Sequence, residues 1–597
     1  MDNNLNRGPQ AGHPAIDSIT LEVMRNALQS VAEEMGVTLI RTALSINIKD
    51  RRDCSTAIYT AEGELVAQAE HIPLHLGLMP TVIKAVLAQY PVEKLEQGDA
   101  IVINDPFISG SHLPDVCVFS PVFYGGRLVA IVANLAHHSD IGGIAPGGMP
   151  ITATEIFQEG VRIPPCKLRK RGVVDEELLN LITNNVRTPH NWRGDFEAQL
   201  ACNNVGEKRI VELADKYGAE FVKTYMEEMI NYSERRMLAR IAEMDKGEFT
   251  FEDFLEIGDK PEDVTPIRVA VKIRDKSILV DFTGSGPQMK GSLNCTRGVT
   301  LACVYYAVKA MTDPEVPSNS GAFRPIEVIT PLGSIVNPRF PAAVSNANIN
   351  TSQRITDALF GALAQTLPER AMAACCGTMN LFTIGGINPA NNSYYSYVET
   401  YGGGMGAVKN LDGMDGVHTN MTNTRNTPTE VMEMAYPTFI KKYGLVPDSE
   451  GAGEFRGGMG LTREVVILGR SATITLSTER SYTDPWGLFG GLPGKHSYCG
   501  LIAGDGAEAP LPARITTSVF ENSTIVLQTP GAGGMGDPYR RDPQAVLTDV
   551  LEGLVSLERA EGVYGVAIDR ATMTVDERAT QELRGAAHAR AHEHAEQ

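Results

Sequence analysis

The chain has 597 residues, too many for one hydrophobic core, and 43% of them are apolar, enough to fill several domains. Lys and Arg total 53 against 72 Asp and Glu, a net charge of −19 that provides no electrostatic footprint for DNA, RNA or an anionic membrane. The polar start, the absence of any run of 18 apolar residues, and nine cysteines without a C-x-x-C pair together point to a reduced, cytoplasmic protein with no signal peptide and no membrane span.

Residues 1–15 read as a flexible arm. A helix is expected from about Thr20, an N-cap with Glu22 in the first turn, because Leu21, Met24, Leu28, Val31 and Met35 fall on one stripe. Ala57 to Gln68 reads as a short hairpin turning at Ala61–Glu64. Val116 to Leu135 reads as a longer one turning at Tyr124-Gly125-Gly126. Asp175–Asn185 and Val205–Met244 look helical, and Lys246–Asp263 looks charged and irregular. Ile267–Ile273 and Ile278–Phe282 read as paired strands, and Val299–Met311 and Ser352–Leu367 as helices. Residues 377–430, rich in Gly, Asn, Thr and Met, read as loop that lines a site or meets a partner. Glu464–Leu468, Ala472–Leu476 and Thr524–Gln528 regain strand character, and Asp542–Glu561 is helical.

The expected fold class is mixed α+β and multidomain, with antiparallel hairpins carrying the site. The expected units are an N-terminal α/β domain at 16–250, a β-rich domain at 251–345, a mixed, loop-rich domain at 346–470 and a C-terminal β segment plus helix at 471–574. A disordered tail at 575–597 would follow.

Two clusters carry the chemistry: His112-Leu113-Pro114-Asp115 and His137-His138-Ser139-Asp140. Imidazole and carboxylate suit Zn²⁺ or Mn²⁺. Pro114 excludes a helix interior, so His112 and Asp115 sit in a loop or first turn. The hairpin between the clusters would bring Asp115 and His137, 22 residues apart, to one ion. An Asp capping a turn beside a hydrogen-bonded His is the alternative reading. Five of the twelve histidines (71, 75, 112, 137, 138) fall within 68 residues, which favours the metal. Side chains alternate along a strand, so only one of His137 and His138 can face an ion, and the other becomes a candidate proton carrier. Asp50, Asp53, Asp105 and Asp140 are all candidates for a fourth ligand.

Gly531-Ala532-Gly533-Gly534-Met535-Gly536 fits G-x-G-x-x-G, but Asp537-Pro538 follows, so it reads as a tight loop, not a dinucleotide site. Gly494-Lys495 lacks the rest of a P-loop. Glu155 and Glu159 are four apart, a solvated face or a site contribution. The tail histidines His588, His592 and His594 are discounted as ligands.

The segments Ser45–Asp53, Gln68–Gly77, Gly110–Asp115, Ala136–Gly143, Thr154–Gly160, Asp281–Ser285, Thr422–Thr424, Arg456–Gly458, Pro485–Leu488 and Pro530–Pro538, in this order, resemble the hydantoinase B/oxoprolinase family. The resemblance runs from about residue 16 to about 570. It implies one divalent ion, Zn²⁺ or Mn²⁺, with Asp53, His112, Asp115 and His137 as ligands. It also implies a partner, a hydantoinase A-type subunit with an actin-like ATP-binding fold, in an A2B2 or larger complex, which would hold ATP/Mg²⁺ in place of this chain. The expected function is that of the B-type subunit of an ATP-dependent cyclic amide hydrolase. The partner phosphorylates a hydantoin, 5-oxoproline or lactam, and a metal-bound water then opens the ring here. His138, Asp140 and Glu155 are the candidate catalytic groups, with His71 and His75 as substrate contacts. The alternative is a subunit of an ATP-dependent ketone carboxylase.

Overall fold

The structure is a computed structural model that describes residues 17–69 and 71–585, without the side chains of Leu76 and Ser109. The arm at 1–15 and the tail histidines His588, His592 and His594 lie outside the described residues.

An antiparallel sheet of seven strands organises the first part of the chain. They are β1 (Cys54–Thr60), β2 (Leu65–Gln68), β3 (Ala100–Ile103), β4 (Asp115–Tyr124), β5 (Arg127–His137), β6 (Cys166–Lys170) and β7 (Val173–Val174), in the order β2-β1-β5-β4-β3-β6-β7. The β4–β5 hairpin turns on Gly125 and Gly126, whose φ of 56° and 78° is the left-handed pair that a two-residue turn requires. Asp115 pairs with His137 across it.

Parity assigns the two faces of β5. Ala130, Val132 and Ala136 pack with the helices Ser18–Thr42, Pro189–Tyr217 and Ala219–Glu243. Ile131, Ala133 and Leu135 pack under the helix Pro73–Gln89. The strand is covered on both faces, so it reads as a continuous apolar run.

The next sheet contains β8 (Gly247–Glu256), β9 (Val264–Ile273), β10 (Ile278–Asp281) and β11 (Ile326–Ile329), in the order β11-β10-β9-β8. The helices Arg297–Thr312 and Thr351–Leu363 share its core. Apart from a short two-stranded pair, Ile568–Asp569 with Thr574–Val575, the later strands are β12 (Leu381–Ile387), β13 (Tyr394–Thr400), β14 (Thr438–Leu445), β15 (Leu461–Ile467), β16 (Ser471–Ser477), β17 (Tyr498–Ile502), β18 (Glu508–Pro510), β19 (Arg514–Phe520) and β20 (Thr524–Gln528). They form two sheets, β13-β12-β16-β19 and β14-β15-β20-β17-β18. The chain is thus mixed α+β and multidomain, as expected.

Several local expectations are corrected. The first helix is capped by Asp17, whose carboxylate accepts from the Thr20 amide at 3.0 Å, so Thr20 already lies inside it. The expected helix at 205–244 is two helices, the first starting at Pro189, split at Gly218 (φ 89°). The charged stretch after Lys246 contains β8, whose Phe249, Phe251 and Leu255 face inward while Glu248 and Glu252 stay exposed. Strands β12 and β13 lie within the expected loop at 377–430. The helix at 542–561 is two, Pro543–Leu551 and Leu557–Gly562, and residues 577–585 of the expected disordered tail are helical. No described helix is long and apolar enough to cross a membrane. All nine cysteines are free thiols.

The segment after β20 is no nucleotide fingerprint, because a 3-10 turn, Pro538–Arg540, follows its last glycine. Instead its backbone lies directly on other backbone. A Cβ at Gly531 would sit 1.6 Å from the Ser449 carbonyl oxygen, and one at Gly404, on a neighbouring stretch packed against this segment at Ala532, 2.1 Å from the Gly458 carbonyl oxygen. Gly531→Ala is therefore expected to destabilise the chain by about 3 kcal/mol or more, or to abolish folding, because backbone cannot move aside as a side chain can. Gly562→Ala, where nothing lies within 4 Å, should stay within about 0.5 kcal/mol of wild type. Thermal unfolding of both variants checks this, and a wild-type melting temperature for Gly531→Ala would contradict it.

Candidate metal centre

Three strand ends meet at one edge of the seven-stranded sheet. Asp53 precedes β1, Asp115 opens β4 and His137 closes β5, the strand between them. The His137 amide donates to the Asp53 carbonyl at 3.0 Å. All three positions are odd, like Tyr59, Phe119 and Leu135, which face the helix Pro73–Gln89. The turn at Leu113-Pro114 brings in His112, whose carbonyl accepts from the Asp115 amide at 3.2 Å. One ligand atom from each of His112, Asp115 and His137 can be chosen so that all lie within 4.8 Å of one another, and all three residues are buried. Asp53 and His75 line the same cavity, of about 40 Å³, outside that tight set.

Each group is held by neighbours. His112 Nδ1 lies 3.1 Å from the Ser345 carbonyl, which fixes a proton there, and its Nε2 is turned toward Asp115 Oδ2 at 3.3 Å. Asn47 lies against His137, with its Nδ2 2.9 Å from Nδ1 and 2.7 Å from the His137 carbonyl oxygen. Ser111 Oγ donates to Asp115 Oδ2 at 2.9 Å, while Asp115 Oδ1 is buried without a hydrogen-bond partner. His75 Nδ1 is 2.9 Å from Ser55 Oγ, and its Nε2 is 3.8 Å from that bare oxygen.

Burial pushes the Asp115 carboxyl up, but His112, His75 and His137 outweigh it and hold the group below the usual carboxylate range. Burial and the neighbouring His112 push His137 down to about 3. Burial also lowers His75 and raises Asp53. His112 goes the other way, since Asp115 and the Ser345 carbonyl outweigh burial and raise it. Two carboxylates and three buried imidazoles, with one carboxylate oxygen bare, are nonetheless a donor set that fits a divalent cation of the Zn²⁺ or Mn²⁺ type.

The other candidates lie elsewhere. His138 is even-numbered and points to the opposite face, with Nε2 3.1 Å from Gln199 Oε1 and its ring 4.8 Å from that of Trp192. Asp140 spends both oxygens on structure, accepting from the amides of Gly142, Gly147 and Arg187 and pairing with the Arg187 guanidinium. Asp105 caps a helical turn at Phe107 and faces Arg162 at 3.5 Å, and Asp50 ends a short helix; neither lines the cavity. His71 borders a separate cavity of about 290 Å³, with Tyr305 and Tyr306. Glu155 is exposed and caps the turn Ile156–Gln158.

Glu159, not Glu155, supports the centre. It is fully buried, and its Oε1 accepts from the amides of Val344 and Ser345 at 2.8 and 2.9 Å, placing the carbonyl that orients His112. Asn348, 3.4 Å from Asp115, comes from the same segment. Sequence reasoning weighed Glu159 beside Glu155 but gave the role to Glu155, and it missed Asn47 and Asn348. The polar run Ser345 to Asn350 was the available signal.

Burial raises the Glu159 carboxyl to about 7 despite those amides. Because the folded value exceeds the ordinary one, the stability it contributes is full below about pH 4.5 and is lost as pH rises through about 7. Glu159→Gln should remove that slope. The stability difference between wild type and variant should shift against wild type by up to about 3 kcal/mol between pH 5 and 8. Urea unfolding at a series of pH values measures it, and parallel curves for the two proteins would refute the assignment.

Comparison with known proteins places the chain among relatives. The sequence matches the hydantoinase B/oxoprolinase family over residues 17–538. It is 34% identical to the B-type subunit of a putative D-/L-hydantoinase of Pseudomonas sp. (strain NS671), over 95% of this chain and 98% of that protein. It is 35% identical to a 5-oxoprolinase of Dictyostelium discoideum over 87% of this chain, which spans only 40% of that longer protein. Among solved structures, the ATP-dependent caprolactamase of Pseudomonas jessenii superposes with a TM-score of 0.88 at 31% identity, over 96% of this chain and 100% of the other. An acetone carboxylase shares the fold, with a TM-score of 0.89 at 21% identity over 97% of this chain and 84% of the other. On these matches, the chain belongs to the hydantoinase B/oxoprolinase family.

Proposed function

We propose that this chain is the B-type subunit of an ATP-dependent cyclic amide hydrolase. A partner of hydantoinase A type, with an actin-like ATP-binding fold, holds ATP/Mg²⁺ and phosphorylates the amide oxygen of a hydantoin, 5-oxoproline or lactam. The ring is then opened in the cavity described above, within an A2B2 or larger complex. The observation that carries this reading is the buried convergence of His112, Asp115 and His137 in a chain whose relatives include hydantoinase and caprolactamase subunits.

An unstrained cyclic amide is a poor electrophile, and phosphorylation of its oxygen turns the ring carbon into one that water can attack. The ring C–N bond then breaks as its nitrogen takes a proton, and the acyl phosphate left behind is hydrolysed to carboxylate and phosphate. His112, Asp115 and His137 would hold one Zn²⁺ or Mn²⁺, with Asp53 as the fourth ligand. Such an ion supplies Lewis-acid activation at neutral pH. His75 is the proton carrier in place of His138. It lines the cavity, burial keeps it neutral, and Nε2 takes the proton released as water adds to the ring carbon and returns it to the departing ring nitrogen. Asn348 orients Asp115. Met149, Met379 and Met421 form an apolar wall that keeps bulk water away from the activated ring.

Purified chain should contain about one ion, and His112→Ala should lose it with its circular dichroism intact. Absence of metal from wild type, even after incubation with Zn²⁺ or Mn²⁺, would contradict the centre. In the reconstituted complex, His75→Gln should keep its metal and lose about a hundredfold or more in kcat. Phosphate release should depend on a cyclic amide and not on bicarbonate. Turnover that requires a ketone and bicarbonate would establish the carboxylase reading instead.

A further inference from the structure

Four arginines are buried to 1% exposure or less: Arg51, Arg354, Arg463 and Arg480. Three of them are neutralised where they lie. Arg354 pairs with Asp253 and Glu479, Arg463 with Glu399, and Arg480 with Asp253 and Asp357. Arg51 is the exception. Among the described residues, no carboxylate oxygen lies within 4.0 Å of its guanidinium.

Its acceptors are all neutral. Nη1 donates to Asn47 Oδ1 and to the Val398 carbonyl at 2.8 Å, and Nη2 donates to Thr400 Oγ1 at 2.9 Å. The buried Nε–H has no acceptor, as in the other three, but only Arg51 lacks a carboxylate partner as well. Arginine cannot shed its proton to relieve the situation, so a lone buried guanidinium is costly unless an anion meets it.

Arg51 lines the same cavity as His112, Asp115 and His137. The turn that presents it is held at some expense. Arg52, exposed and not glycine, adopts a φ of 56°, and this places Arg51 and Asp53 on the cavity wall on either side of it. Asp53 feels the Arg51 charge without pairing to it.

The charge count points the same way. Two carboxylates, Asp53 and Asp115, oppose one guanidinium, with the imidazoles taken as neutral. A divalent ion would reverse the sum to +1, and a monoanion would then close it.

We propose that Arg51 is an anion receptor, which binds a carboxylate or phosphate group carried into the cavity by the ligand. The Nε–H edge, left without an acceptor, is the side-on geometry that grips two oxygens of one oxyanion. The inference rests on the proposed reaction only for which anion arrives. Activation by the partner would bring a phosphate, and a ring bearing an acid would bring a carboxylate.

The test uses the purified chain loaded with Zn²⁺, titrated calorimetrically with inorganic phosphate and, separately, with acetate. Wild type should bind one of them at millimolar concentration or below. Arg51→Gln should weaken that binding about tenfold or more with its zinc content unchanged. Arg51→Lys keeps the charge, preserves the fold if the glutamine variant does not, and should bind several-fold more weakly than wild type because it lacks the two-pronged edge. Stronger binding of phosphate assigns the receptor to the activating group, and stronger binding of acetate to a substrate acid. Wild type binding neither anion would overturn the proposal. So would variants that keep their zinc and bind as tightly as wild type. ATP-dependent turnover that survives unchanged in the Arg51 variants would reject the receptor and leave the hydrolase reading intact, whereas loss of turnover on every cyclic amide in wild type would strike that reading alone.

Discussion

Two carboxylates, three imidazoles and a guanidinium share a cavity of about 40 Å³, and no distribution of protons suits all of them. Protonating the carboxylates would forfeit the field that holds Arg51, and protonating the imidazoles would put more cations into a site that burial already penalises. The Asp115 oxygen without a hydrogen bond marks where the arrangement stays unbalanced in the chain alone. Much of the surrounding structure serves to hold these groups together against that cost.

The means is layering. The seven-stranded sheet brings Asp53, Asp115 and His137 to one edge, and two helical layers keep its middle strand dry. The segment 344–350, from beyond the second sheet, then closes over them. Glu159 ties the two parts together, since its carboxylate fixes the amides of Val344 and Ser345 and thereby the carbonyl that sets the His112 tautomer. The ligands near residue 112 are thus oriented by backbone more than two hundred positions away.

That distance explains what could be read from the sequence. The β4–β5 hairpin was legible because alternation and a Gly-Gly turn are local signals, and with it came the pairing of Asp115 with His137. The opposite facing of His137 and His138 followed from the same period. Which neighbouring acids support the centre was not legible. Glu155 and Glu159 look equivalent in sequence, yet a 3-10 turn between them leaves one exposed and buries the other. Asp140, so close to the histidines, is drawn off by Arg187, a partner no local pattern predicts. Strands β12 and β13 were hidden because glycine and asparagine weaken the strand signal where tertiary packing supplies the stability.

The glycine contacts after β20 have a different consequence. Where main chain rests on main chain, as Gly531 does on Ser449 and Gly404 on Gly458, there is no side-chain volume to redistribute. Such a region cannot be remodelled by small substitutions, since each position admits one residue or none. Divergence of specificity among chains of this architecture would then be written in the cavity wall, where Met149, Met379 and Met421 can be exchanged for residues of other sizes while the glycine contacts keep their form.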